Sequence, residues 1–99
     1  MIIERQIQQV YPDKWAELEA HDQKNTMLEA RYGFPPKRRM RCMIGGHDLN
    51  TLIIEREWES TAAMEAAFIK LFADPEHAAI AAENATIIKS AQIEIYWPL

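Results

Sequence analysis

Residues 37–58 read KRRMRCMIGGHDLNTLIIEREW, and the fold turns on them. Two runs flank the loop Gly45-Gly46-His47-Asp48-Leu49-Asn50. In the first, Lys37 to Ile44, the side chains of Arg38, Met40, Cys42 and Ile44 share one side, opposite Arg39, Arg41 and Met43. In the second, Thr51 to Trp58, Leu52, Ile54, Arg56 and Trp58 alternate with Ile53, Glu55 and Glu57. Period-two alternation on both sides of a Gly/Asn/Asp-rich loop predicts an antiparallel hairpin whose connection is longer than two residues.

Working outward toward the N-terminus, the connector Phe34-Pro35-Pro36 is extended, because each proline disfavours the α region for the residue before it. Before it, Pro12 is placed to open a helix whose apolar spacing runs through Trp15, Leu18 and Leu28 toward Tyr32, with Gly33 as the stop. The segment Ile2 to Gln9 alternates again, Ile3, Arg5 and Ile7 on one face and Glu4, Gln6 and Gln8 on the other. Toward the C-terminus, Ser60 or Thr61 caps a helix with the stripe Met64, Ala67 or Phe68, and Leu71. Asp74-Pro75-Glu76 restarts it: a capping carboxylate, a proline at the first helical position and an acid near the positive dipole end. An alanine-rich helix then runs to about Thr86, and Ser90 to Trp97 forms a last strand with Ala91, Ile93, Ile95 and Trp97 together.

The order is β-α-β-β-α-β with the second helix broken in two. Right-handed crossovers fold it into an α+β, ferredoxin-like βαββαβ domain over residues 1–99, a four-stranded antiparallel sheet with helices on one face. The helix-facing side is expected to carry Ile3 and Ile7, then Met40, Cys42 and Ile44, then Leu52, Ile54 and Trp58, then Ile93 and Ile95. The open side then carries Glu4, Gln6, Gln8, Arg39, Arg41, Glu55, Glu57, Gln92 and Glu94. Ile2, Met43, Ile53 and Tyr96 are its expected apolar contribution to a homodimer built through that face. A chain of 99 residues has a modest core, which a second copy would extend.

Bulk properties narrow the function classes. With 15 acidic against 11 basic side chains the net charge is −4, the wrong sign for recruiting phosphates, so a nucleic-acid binder is not expected. No stretch approaches the ~20 apolar residues needed to cross a bilayer, and Glu4 and Arg5 stand where a signal peptide would be apolar. The one cysteine, Cys42, cannot form an intramolecular disulfide. A cytoplasmic protein with no membrane partner is the expectation. His21, His47 and His77 lack paired spacing, so no metal site is expected. Cys42 reads as a buried strand thiol and Gly45-Gly46 as a turn.

Two stretches carry a family resemblance. Glu57-Trp58-Glu59-Ser60-Thr61-Ala62-Ala63-Met64-Glu65-Ala66-Ala67 resembles the strand-to-helix passage of NIPSNAP-like proteins, and Ala73-Asp74-Pro75-Glu76-His77 resembles their Ala-Asp-Pro-Glu-Trp helix restart. The resemblance spans roughly Ile54 to Ile80, with His77 where an aromatic is usual. It implies the dimeric α/β-barrel superfamily, whose ferredoxin-like domains pack sheet against sheet as homodimers. That superfamily includes cofactor-free monooxygenases of polyketide quinones, muconolactone-type isomerases and heme-degrading monooxygenases. The heme degraders carry a ligand histidine about six residues after the second helix's Asp and a tryptophan some four before it. Those positions hold Ile80 and Lys70 here, so heme degradation is not expected and no cofactor is implied.

Candidate chemistry lies where polar residues interrupt apolar patterns. Arg5 and Arg56 break the strand faces expected to meet the helices, and neighbouring strands would bring both under the first helix. That helix's own stripe is interrupted by His21 or Asp22 and by Asn25. One reading is a helix–sheet cleft in which Arg5, Arg56 and Asn25 bind a small organic anion while His21 or Asp22 moves a proton, as in a cofactor-independent monooxygenase or isomerase. The alternative is a non-catalytic homodimeric binding or scaffold protein in which Asp22 merely neutralises Arg5 or Arg56. Arg5 and Arg56 on opposite faces of the sheet would remove the two-arginine site.

Overall fold

The computed structural model describes residues 1–99. Strand β1 (Ile2–Val10) leads to helix α1 (Trp15–Arg31), the hairpin β2 (Arg38–Arg41) and β3 (Thr51–Trp58), helices α2 (Thr61–Ala73) and α3 (Pro75–Asn84), and strand β4 (Ile88–Tyr96). The four strands form one sheet in the order β2-β3-β1-β4, antiparallel at every pairing, which is the expected ferredoxin-like topology.

Local signals set the element ends. The Ser60 hydroxyl accepts from Ala63 N at 3.1 Å and starts α2. Asp74 accepts from Glu76 N at 2.9 Å, and with Pro75 it ends α2 and begins α3 in a new direction. Asp74 Oδ2 also accepts from the Tyr32 hydroxyl at 2.6 Å and lies 3.3 Å from Arg31 Nη1, fixing the joint to the end of α1. The Tyr32 hydrogen bond, above all, holds the Asp74 carboxyl below the usual carboxylate range. Gly33 follows at φ +72°, a left-handed conformation that favours glycine.

Beyond shifts of one or two residues at the ends of β1, α3 and β4, two element boundaries differ from the sequence expectation. Pro12 lies in a turn closed by Lys14 N donating to Tyr11 O at 2.9 Å, and α1 starts only at Trp15. The strand expected from Lys37 to Ile44 is shortened to Arg38–Arg41. As an edge strand, β2 has a ladder on one side only; after Cys42 N donates to Thr51 O the chain leaves it. Cys42 therefore sits half-buried in the loop, its Sγ 3.3 Å from His47 O, and Ile44 and Met43 are exposed.

The larger correction concerns which sides of β1 and β2 meet the helices. Residues directly opposite in an antiparallel ladder share a face. Register places Ile2, Glu4, Gln6 and Gln8 of β1 against Trp58, Arg56, Ile54 and Leu52 of β3, on the helix side. Arg39 and Arg41 join them opposite Ile54 and Leu52. Ile3, Arg5, Ile7 and Met40 therefore lie on the open face with Ile53, Glu55 and Glu57. Ile2 belongs to the core rather than to the open face. The physical reason is charge pairing. Arg56 is buried at 3% exposure, and a buried guanidinium needs a carboxylate beside it; Glu4, at 1%, supplies one only if β1 faces this way.

The apolar core is consequently split. One cluster joins Val10, Leu18, Leu52, Ile54, Ile87 and Ile88, with Trp15 against it. The other joins Ile2, Trp58 and Ala67 with Phe34, Met64 and Phe68. Phe34 meets Trp58 edge-on at 5.1 Å between ring centroids and Phe68 at 5.0 Å.

Candidate functional site

A cavity of about 260 Å³ lies between the sheet and all three helices. Its lining is two-sided. Phe68, Leu71 and Phe72 of α2, Ile80 and Ala81 of α3, and Ile88 and Ile93 of β4 form an apolar wall. His21, Asp22, Asn25 and Glu29 of α1 form the other wall with Lys37 and Arg56, above Gln6 and Gln8 of β1. His21, Asp22, Asn25 and Glu29 recur at helical spacing, which puts all four on the α1 face that looks onto the sheet. Four of the five residues expected to form a site thus come together: His21, Asp22, Asn25 and Arg56.

Arg5 does not join them. It lies on the open face, where its guanidinium binds Glu55 at 2.7 Å and its Cζ stands 5.0 Å from the centre of the Tyr96 ring. Arg38 reaches the same carboxylate at 3.0 Å, and the Arg5 hydrogen bond is the main cause holding Glu55 below the usual carboxylate range. The two-arginine anion site is therefore not formed, because β1 presents its other side to the cavity.

Beneath α1 the charges alternate in a continuous chain. Arg39 Nε lies 3.4 Å from Asp22 Oδ2, Asp22 Oδ1 is 2.8 Å from Lys37 Nζ, and Lys37 is 3.1 Å from Glu29 Oε1. Glu29 also binds Arg56 Nη2, and Arg56 Nη1 is 3.3 Å from Glu4 Oε2. Glu4 further accepts from Trp58 Nε1 at 2.8 Å and Gln6 Nε2 at 2.6 Å, and Gln8 donates to Gln6 at 3.0 Å. Asp22 thus faces Lys37 and Arg39, instead of Arg5 or Arg56, and both its oxygens are engaged. The arginines, lysine and carboxylates of this chain compensate one another, so it sets cavity shape without an unbalanced charge.

His21 is 3% exposed, and its Nε2, like Nε of Arg39 and of Arg56, is buried without a hydrogen-bond partner; in His21 that nitrogen can carry a lone pair. Its Nδ1 lies 3.3 Å from Glu83 Oε2 on α3. Glu83 is also 3.2 Å from Lys24 Nζ; the Lys24 hydrogen bond, then that of His21, holds the Glu83 carboxyl below the usual carboxylate range. The site residues that sequence reasoning missed are Glu4, Glu29, Lys37 and Glu83. Glu29 was within reach of it, since Asp22, Asn25 and Glu29 continue one helical row. His77 also lines the cavity, its ring 5.0 Å from that of Phe72. No group of three or more His, Cys, Asp or Glu side chains is arranged to hold a metal ion. No helix is long and apolar enough to cross a membrane.

These features define a ferredoxin-like α+β domain with a polar-walled helix–sheet cavity. Its fold is that of NIPSNAP-family structures. A NIPSNAP family protein from Agrobacterium tumefaciens superposes with a TM-score of 0.83 at 21% identity, covering 99% of this chain and 92% of that one. An uncharacterized NIPSNAP-like domain protein from Burkholderia xenovorans gives 0.81 at 20% identity, covering 99% and 84%. SnoaB, a cofactor-independent oxygenase from Streptomyces nogalater, gives 0.72 at 16% identity, covering 99% and 92%. No protein-family model and no curated protein matches the sequence, so the likeness is one of fold.

Proposed function

We propose that this chain binds a small, weakly acidic organic molecule in the helix–sheet cavity and removes a proton from it with His21, without a cofactor. The observation that carries the reading is the buried, unpartnered Nε2 of His21 in a residue that lines the cavity. An imidazole nitrogen whose lone pair has no partner has the chemistry of a general base. His21 takes this role rather than Asp22, whose oxygens are committed to Lys37 and Arg39. In this reading Asn25, which lines the cavity, donates to the oxygen on which negative charge collects, and the apolar wall holds the carbon skeleton. The organic anion is then the product of deprotonation. Returning the proton to another carbon is isomerisation; capture of the anion by dioxygen is the cofactor-independent oxygenation that the SnoaB fold also hosts.

The test needs no knowledge of the physiological substrate. A panel of 1,3-dicarbonyl compounds and naphthols is incubated with the protein in D₂O, and hydrogen–deuterium exchange at the acidic C–H is followed by NMR. At least one compound is expected to exchange faster with wild-type protein, and His21→Gln is expected to reduce that acceleration roughly 10²-fold or more. Unaccelerated exchange across the panel, or full activity in His21→Gln, would leave the non-catalytic binding reading in its place.

The same proposal includes a homodimer through the open sheet face. Ile3, Met40 and Ile53 stand there half-buried and uncovered by any helix, beside Tyr96, making that face more apolar than the sequence pattern implied. Light scattering is expected to give twice the chain mass at micromolar concentration; a monomer throughout would refute it.

A further inference from the structure

The base proposed above has a second nitrogen, and its surroundings are as specific as those of the first. His21 Nδ1 points to Glu83 Oε2 at 3.3 Å, across the contact between α1 and α3. An ionised carboxylate only accepts hydrogen bonds, so the nitrogen facing it must carry the hydrogen. In a neutral imidazole the proton on Nδ1 leaves Nε2 with its lone pair, and Nε2 is the atom without a partner. Glu83 is itself held by Lys24 Nζ, 3.2 Å from the same Oε2 and 3.4 Å from Oε1. Lys24 and His21 lie on one helix and Glu83 on another, so the carboxylate is gripped from two points of α1.

We infer that Glu83 is a positioning residue that fixes His21 as the Nδ1–H tautomer and so leaves the lone pair on the buried Nε2. It rests on the reading of His21 as the base, but it concerns where one hydrogen sits, which is measurable without substrate. The other charged or titratable cavity-lining groups on the packed elements are Asp22 and Glu29 of α1, Lys37, Arg56 of β3 and His77 of α3. Asp22, Glu29, Lys37 and Arg56 are tied to one another or to Glu4 and Arg39, and the His77 ring packs tilted against Phe72. Glu83 is the carboxylate within hydrogen-bond distance of the His21 ring.

The experiment is ¹⁵N NMR of the histidine ring nitrogens in the folded protein at pH 8, with His21 assigned by its loss in His21→Gln. Wild-type protein is expected to show a protonated, pyrrole-type Nδ1 and an unprotonated, pyridine-type Nε2. In Glu83→Ala the His21 signals are expected to move toward an average of the two tautomers. Glu83 is 53% exposed on its side chain, so this variant removes little packing. Glu76→Ala is the control: Glu76 is on the same helix but faces Arg31 at 3.1 Å, and its removal is expected to leave the His21 tautomer unchanged. A wild-type Nε2–H tautomer, identical spectra for wild type and Glu83→Ala, or an equal response in Glu76→Ala, each overturns the inference. A Glu83-dependent Nδ1–H tautomer in a protein that never accelerates C–H exchange upholds this inference and removes the catalytic reading instead.

Discussion

Arg56→Met is expected to destabilise the protein by about 3–5 kcal/mol, the cost of leaving a buried partner charge uncompensated. Arg56 joins Glu4 of β1 to Glu29 of α1, and its own side chain is 2% exposed. Methionine matches the aliphatic stem but supplies no donors. Glu4, 1% exposed, then keeps only Trp58 and Gln6, and Glu29 keeps only Lys37. The contact of the guanidinium with the Phe34 ring, 5.2 Å from its centre, is lost as well. Urea denaturation measures the effect, read as a shift in midpoint at unchanged slope. Glu4→Gln in the same background is expected to restore part of the loss, because the stranded charge goes with it; coupled neighbours deviate from additivity by roughly 0.5–3 kcal/mol. A single variant within 1 kcal/mol of wild type would mean that the buried network contributes nothing net.

Trp58→Ala is expected to cost a similar amount, about 3–5 kcal/mol, through a different mechanism. Trp58 is 3% exposed and closes the second apolar cluster, with Phe34 at 5.1 Å and Phe68 at 5.9 Å. Its indole N–H is one of the donors on Glu4. Truncation leaves a void between β3 and α2 and strips a hydrogen bond from a buried carboxylate at the same time. Trp58→Phe separates the two contributions: the aromatic contacts are largely kept, and the expected loss falls to the ~1.5–3 kcal/mol of one hydrogen bond to a charged group, since Arg56 and Gln6 stay on Glu4. Equal losses in the alanine and phenylalanine variants would show that packing contributes little at this position.

The sequence disclosed the parts of the fold that are decided locally. Ser60, Asp74 and Pro75 act on groups within three residues of themselves, and each sits in the role its chemistry predicts. β3 was also unambiguous, since Leu52, Ile54 and Trp58 all fall on one side. β1 was not. Its apolar residues divide between Ile3 and Ile7 on one face and Ile2 and Val10 on the other, so alternation alone favours neither. What decides it is Glu4 meeting Arg56, a partner 52 residues away, and no periodicity within one strand contains that information.

The site divides in the same way. His21, Asp22 and Asn25 were visible as breaks in an apolar stripe, and they do line the cavity. Glu29 continues the row of Asp22 and Asn25, but Leu28 beside it satisfies the apolar stripe and so no break marks the position. Glu83 reaches His21 across 62 residues of chain, and nothing in its own helix marks it. Arg5 was an over-reading of a polar residue between two isoleucines; its partner Glu55 is across the ladder on the uncovered face.

The joint at Asp74 and Pro75 has one further consequence. Asp74 is extended and Pro75 has no N–H to return to α2, so α3 starts as a new helix rather than continuing α2. That helix carries Ile80, Ala81 and Asn84 of the cavity lining together with Glu83. Tyr32 and Arg31, at the end of α1, hold its first turn through Asp74 and Glu76, so that stretch of the cavity lining is fastened at the corner opposite the sheet's open face.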